Sequence, residues 1–183
     1  LSKKIASGLK SLVLDVKLGN GSFNHTEEIA TNLANSLVSV AKGAGLNCEA
    51  ILTDMNQVLG WNAGHTLEVS ESIEYLINNK KNKRLETITN ELATSLLVMI
   101  KKINKNDALK KINEVINNGK AAEKFEKMVA ALGGPTKILT SYKSDLLKAT
   151  YVNQIVPSKK GFIKSIQTRN LGLILIELGG GRK

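Results

Sequence analysis

A strand that runs into a glycine turn near the start of the chain constrains the fold more than any other feature. Residues 11–18, SLVLDVKL, form an apolar run typical of a buried β-strand, yet the run carries Asp15 and Lys17. It ends at Gly19 and Gly21, after which the apolar residues recur at helical spacing. A strand, a glycine turn and a helix in this order predict the first half of a parallel β-α-β unit.

The second half of that unit follows directly. We predict that the helix begins at a capping box with Asn24 at the N-cap and Glu27 three residues later, and that it ends near Gly43. Residues 48–53, CEAILT, predict a second short strand, whose end delivers the polar residues 54–57 to a cleft. The sequence therefore predicts an α/β fold with a parallel or mixed sheet flanked by helices.

The rest of the chain divides into a helical part and a strand-like part. Four helical patterns fill the middle, and the last of them stops at a Gly-Gly-Pro sequence. Residues 149–157 and 161–168 predict two more strands about a short turn, and residues 171–178 predict an apolar helix capped by Thr168.

The glycine turn does not match a known phosphate motif. Gly19 and Gly21 fit the dinucleotide fingerprint, but Asn24 occupies the position of its third glycine, and no Gly-Lys-Ser/Thr sequence occurs. The glycines on their own indicate a tight turn. Asp15 and Lys17 lie two residues apart and so share one face of the strand, where they satisfy each other or a neighbouring loop.

Charge and cysteine content limit the partners and the compartment. The net charge is +10, but only three of the 26 basic residues are arginines, and aromatic residues make up 4% of the chain. Readers of bases and of single strands favour arginine and aromatic side chains, so we expect no nucleic-acid partner. Cys48 is the only cysteine and no apolar run is long enough to span a bilayer, so we expect a cytoplasmic protein without a membrane partner.

Four stretches of the sequence resemble one enzyme family. They are SKKIASGLKSLVLDVKLGNGSF, LTDMNQVLGWNAGHTLEV, NNGKAAEKFEKMVAALGGP and the closing GGGRK. Together they span nearly the whole chain, and they are similar to the thymidine phosphorylases and the related pyrimidine-nucleoside phosphorylases. The sequence of residues 54–57, DMNQ, is more similar to that of the thymidine-specific branch.

The resemblance implies reversible phosphorolysis of thymidine, with inorganic phosphate as co-substrate and no required cofactor. It implies that Lys3 acts on the base carbonyl, that Phe23 forms a pocket wall against the pyrimidine, and that Asp15 and Lys17 support the strand end. A homodimer is implied for the full-length protein. A broader pyrimidine-nucleoside phosphorylase acting on uridine and thymidine stays open as an alternative, as does a non-catalytic basic binding domain.

Some members of the pyrimidine branch hold a monovalent cation by carbonyl oxygens and one carboxylate. The resemblance matches Leu59, Asn62 and Glu71 to these ligands, and oxygen ligands of this kind suit hard cations. A glutamate on a helix face is otherwise ordinarily a solvated side chain.

The resemblance also implies that the chain is part of a longer protein. We expect residues 1–8 to be the end of a helical domain and residues 9–183 to be a partial α/β domain. The phosphate-site segment would lie upstream and a C-terminal domain downstream, so we expect the 183-residue chain to have little or no activity alone.

Overall fold

A computed structural model describes residues 1–180 of the chain and has an α/β fold. Its sheet has two parallel strands, which pair in register from Ser11 opposite Asn47 to Leu18 opposite Asp54. The first elements are α1 (Ser2–Ala6), β1 (Ser11–Leu18), α2 (Glu27–Gly43) and β2 (Asn47–Asp54). The β-α-β unit predicted from the sequence is therefore confirmed.

Small side chains let α2 lie close to the sheet. Ala30 and Ala34 are buried against Val16 of β1. At the other end of the helix Ala41 is buried in a second cluster, against which Ile5 of α1 packs. Burial of this continuous apolar surface holds the two strands and both helices together.

The middle of the chain is helical and has its own apolar clusters. The helices are α3 (His65–Leu76), α4 (Lys83–Lys101), α5 (Lys105–Asn117), α6 (Lys120–Ala131) and α7 (Ile138–Asp145). One cluster joins Ile73 to α7, and another joins Tyr75 to α5. Helix α4 packs against both strands, so it connects the helical part to the sheet.

The two strands predicted over 149–157 and 161–168 are wrong, because residues 147–167 contain neither helix nor strand. A strand needs a neighbour for its backbone hydrogen bonds, and in the described part of the chain only β1 and β2 pair. Large apolar side chains of this stretch are exposed, namely Leu147, Tyr151, Val152, Ile155, Val156, Phe162 and Ile163.

The helices also differ from the predictions in three places. Thr26, and not Asn24, caps α2 by accepting a hydrogen bond from the N–H of Ile29 at 3.3 Å. Asn24 lies in the turn before the helix, where its side-chain amide donates to the carbonyl of Lys17 at 3.0 Å. The last helix, α8 (Thr168–Leu175), starts three residues early with Gln167 as its N-cap, and α7 was not predicted.

The end of the described chain is a π-helical turn, Ile176–Gly180. It includes the first two glycines of the GGGRK sequence, whereas residues 181–183 lie outside the described residues. Within residues 1–180, every helix is too short or too polar to cross a bilayer.

Candidate functional site

A cavity of about 340 Å³ opens at the carboxyl ends of the two strands. This is the edge at which open α/β sheets bind their ligands. Its walls come from both strand ends, the following loop, α3 and α8, and they include Lys17, Asp54, Met55, Leu59, Glu71 and Thr168. The prediction that β2 delivers residues 54–57 to a cleft is confirmed for Asp54, Met55 and Gln57.

The two glycines of the turn are needed because other chain segments come very close to them. Gly19 has a φ of 124°, and a Cβ there would lie 2.8 Å from the side chain of Asn56. A Cβ on Gly21 would lie 2.8 Å from both the carbonyl oxygen of Met55 and a methyl of Thr168. The glycines thus allow the turn to pack between the end of β2 and the start of α8.

Asn20, between those glycines, ties the turn to both neighbours. Its backbone N–H donates to Oδ1 of Asn56 at 2.9 Å. Its side-chain amide donates to the carbonyl of Ile166 at 3.0 Å, and its side-chain oxygen accepts from the N–H of Thr168 at 2.9 Å. Asn20 was not predicted as a site residue, although its position between two required glycines was the available signal in the sequence.

Asp15 and Lys17 pair with each other, which is one of the two alternatives that the sequence left open. Lys17 Nζ lies 2.6 Å from Asp15 Oδ2 and donates to the hydroxyl of Thr53 at 3.0 Å. That hydroxyl in turn donates to Asp15. Lys17 also lines the cavity, and its ammonium is paired with the Asp15 carboxylate.

Asp54 is held as a carboxylate at the end of β2. Arg84 Nη1 lies 3.2 Å from Asp54 Oδ2, and the N–H of Asn56 donates to Oδ1 at 3.0 Å. Burial raises the pKa of Asp54, but the hydrogen bonds from Asn56 and the charge of Arg84 outweigh it, and the pKa falls below its usual value. Arg84 was not predicted as a site residue from the sequence.

The two residues matched to the substrate site lie on different elements. Lys3 is on α1, which packs on the core through Leu1 and Ile5 and leaves Lys3 exposed. Phe23 follows the glycine turn and is 86% exposed, and the guanidinium of Arg169 lies 5.7 Å from its ring centre. Neither Lys3 nor Phe23 lines the 340 Å³ cavity, so the structure does not bring them together there and their roles stay predictions.

Glu71 is not the solvated glutamate that its helix position would suggest. It is 7% exposed, and its carboxylate accepts hydrogen bonds from the N–H of Trp61 at 2.8 Å and of Asn62 at 3.0 Å. Asn62 also donates its side-chain amide at 2.9 Å. The N–H groups of the loop therefore point toward the Glu71 carboxylate. A monovalent cation would instead need carbonyl oxygens directed at the same position.

The cation site at Leu59, Asn62 and Glu71 stays a prediction that this loop arrangement does not favour. Leu59 does line the same cavity as the other two residues. Among the described residues there is also no group of three or more His, Cys, Asp or Glu side chains that could hold a metal ion.

Comparison with known proteins agrees with this arrangement. A family model described as "Glycosyl transferase family, a/b domain" matches residues 1–122. The chain belongs to this glycosyl transferase family. The match covers β1, the glycine turn, β2 and α3, and therefore most of the cavity wall.

One relative of this glycosyl transferase chain is the thymidine phosphorylase of Colwellia psychrerythraea. The two are 43% identical over 183 residues, which is the whole of this chain and 42% of the relative. The chain therefore spans less than half the length of that relative.

Proposed function

We propose that the full-length protein is a thymidine phosphorylase, which converts thymidine and phosphate into thymine and 2-deoxyribose 1-phosphate. The observation that carries the proposal is the 43% identity to a thymidine phosphorylase along the entire chain. A cavity at the carboxyl end of the sheet, the edge at which open α/β sheets bind ligands, supports it. We further propose a cytoplasmic homodimer that acts in pyrimidine salvage, in keeping with the family resemblance.

In the proposed reaction an oxygen of phosphate forms a bond to C1′ as the bond from C1′ to the base nitrogen breaks. The electron pair of that bond leaves with the pyrimidine, so negative charge develops on the base while the sugar becomes positive. A cation aimed at the base carbonyl stabilises the departing charge. We assign this role to Lys3 and the stacking wall to Phe23.

Asp15 and Lys17 have a supporting role in this proposal. Their ion pair lies within β1, and both side chains hydrogen-bond to the Thr53 hydroxyl of β2 near the carboxyl ends of the strands. The carbonyl of Lys17 also accepts hydrogen bonds from Ser22 and Asn24, the residues on either side of Phe23. This network would fix the position from which Phe23 reaches the base.

The experiment is phosphorolysis of thymidine and of uridine by the full-length protein, with and without phosphate. We expect thymine to be released from thymidine only when phosphate is present. Comparable cleavage of uridine would instead assign the broader pyrimidine-nucleoside specificity. Release of neither base would contradict the proposal and favour a non-catalytic binding domain.

A further inference from the structure

The exposed Phe23 has one described partner that fixes its ring, and that partner comes from the far end of the chain. The guanidinium of Arg169 lies over the ring at 5.7 Å from its centre, within the distance range of a cation–π interaction. Phe23 is 86% exposed, so it is not held by burial. Two freely rotating side-chain torsions would otherwise leave such a ring without a defined orientation.

Arg169 is itself attached to the turn that carries Phe23. It follows Thr168, which is buried and whose N–H donates to the side chain of Asn20 at 2.9 Å. Gly21 leaves room for the Thr168 methyl, which a Cβ would approach to 2.8 Å. The backbone segments that carry the ring and the guanidinium therefore meet at one junction.

We propose that Arg169 is a positioning residue that holds the Phe23 ring for stacking against the pyrimidine. This inference rests on the proposed function, in which Phe23 is the pocket wall. The guanidinium lies over one face of the ring, and the other face is left for a planar base. Fixing the ring before the nucleoside arrives lowers the entropy that is lost on binding.

The role predicts a particular kinetic effect. Stacking acts on the bound substrate and on the transition state alike, so its loss raises KM and leaves kcat unchanged. A cation–π contact at an exposed site corresponds to roughly a two- to fivefold change in affinity. We therefore expect Arg169→Ala to raise the KM for thymidine about two- to fivefold without changing the KM for phosphate.

The test is a double-mutant cycle in the full-length protein. Arg169→Ala, Phe23→Leu and the combined variant are compared, with Arg169→Lys as the conservative variant. Lys164→Ala serves as the control, because Lys164 is also an exposed cation of the segment leading into α8. We expect Arg169→Ala to have no further effect once Phe23 is leucine, Arg169→Lys to retain part of the affinity, and Lys164→Ala to resemble the wild type.

Two kinetic results would overturn the inference. An equal effect of Arg169→Ala with and without the aromatic ring would show that Arg169 acts independently of Phe23. A rise in the KM for phosphate would identify Arg169 as an anion-binding residue instead.

A spectroscopic readout separates this inference from the proposed function. Phe23 is replaced by 4-fluorophenylalanine in the full-length protein, and the ¹⁹F resonance is recorded with and without Arg169→Ala. A shifted resonance supports the contact, and an unchanged one overturns it, whatever the activity. If the wild type cleaves no nucleoside, the proposed function fails together with the role in stacking, while the ¹⁹F result still decides whether Arg169 orients the ring.

Discussion

Replacing Gly21 with alanine tests whether the close approach of three chain segments builds the site. The added Cβ would lie 2.8 Å from the carbonyl oxygen of Met55, a backbone atom that cannot rotate away, and 2.8 Å from a methyl of Thr168. Relieving such overpacking costs about 1–3 kcal/mol. The shift would also weaken the hydrogen bond from the Gly21 N–H to Met55, which is 3.0 Å long and contributes about 0.5–1.5 kcal/mol.

The expected loss of unfolding free energy is therefore about 1.5–4.5 kcal/mol. With a urea dependence of about 2 kcal/mol per molar, the unfolding midpoint would fall by about 1–2 M. Circular dichroism in a urea series measures the midpoint for the wild type, Gly21→Ala and the control Gly161→Ala. A Cβ on Gly161 would meet nothing within 4 Å, so this control should change the free energy by less than about 0.5 kcal/mol.

A second variant locates the cause of the loss. Adding Thr168→Ser to Gly21→Ala removes the clashing methyl but leaves the Met55 carbonyl, so part of the stability should return. Equal midpoints for Gly21→Ala and Gly161→Ala would refute the view that the turn must be glycine in order to pack against β2 and α8.

Two further predictions concern buried acidic groups. Glu71→Gln should lower the unfolding free energy by about 2 kcal/mol, because a carboxamide has only one oxygen to accept from the N–H donors of the Trp61 loop. The control Glu91→Gln, at an exposed position, should have no effect. Equal urea midpoints for the two variants would contradict this prediction. The hydrogen bond to Glu74 raises the pKa of Tyr142 to about 12. The stability that the Tyr142–Glu74 hydrogen bond contributes is therefore present below about pH 10 and is lost as the pH rises toward 12. Tyr142→Phe should accordingly lose less of its urea midpoint than the wild type between pH 8 and pH 11, and an equal loss would refute this assignment.

The sequence was sufficient for the β-α-β unit because each of its elements has its own periodic signal. These signals are the apolar run of β1, the helical spacing after Gly21 and the short apolar run of β2. Each is a pattern among neighbouring residues, so it can be recognised without knowledge of the rest of the chain. The same local reasoning failed over residues 149–168, because strand formation depends on a neighbour that a local pattern does not supply.

The candidate site was predictable only where its residues are close in sequence. Asp15 and Lys17 share a strand face by their spacing, so their pairing could be expected. By contrast, the contacts of Asn20 with Thr168 and of Phe23 with Arg169 join positions nearly 150 residues apart, and no spacing rule reports them. Glu71 was matched to a cation by resemblance, and only the folded loop revealed its N–H donors.

The central claim, that the full-length protein cleaves thymidine with Lys3 acting on the departing base, is tested most directly by a pair of lysine variants. Lys3 and Lys4 are adjacent, exposed residues of α1. Substitution of either one by alanine therefore removes one positive charge from the same helix. The measurement is kcat for thymidine phosphorolysis by both variants of the full-length protein. Loss of a preorganised charge at the reacting base lowers kcat by about 10²–10³, so Lys3→Ala should fall by that factor while Lys4→Ala keeps the wild-type rate. Equal rates for the two variants, or a wild type that releases no thymine, would contradict the account.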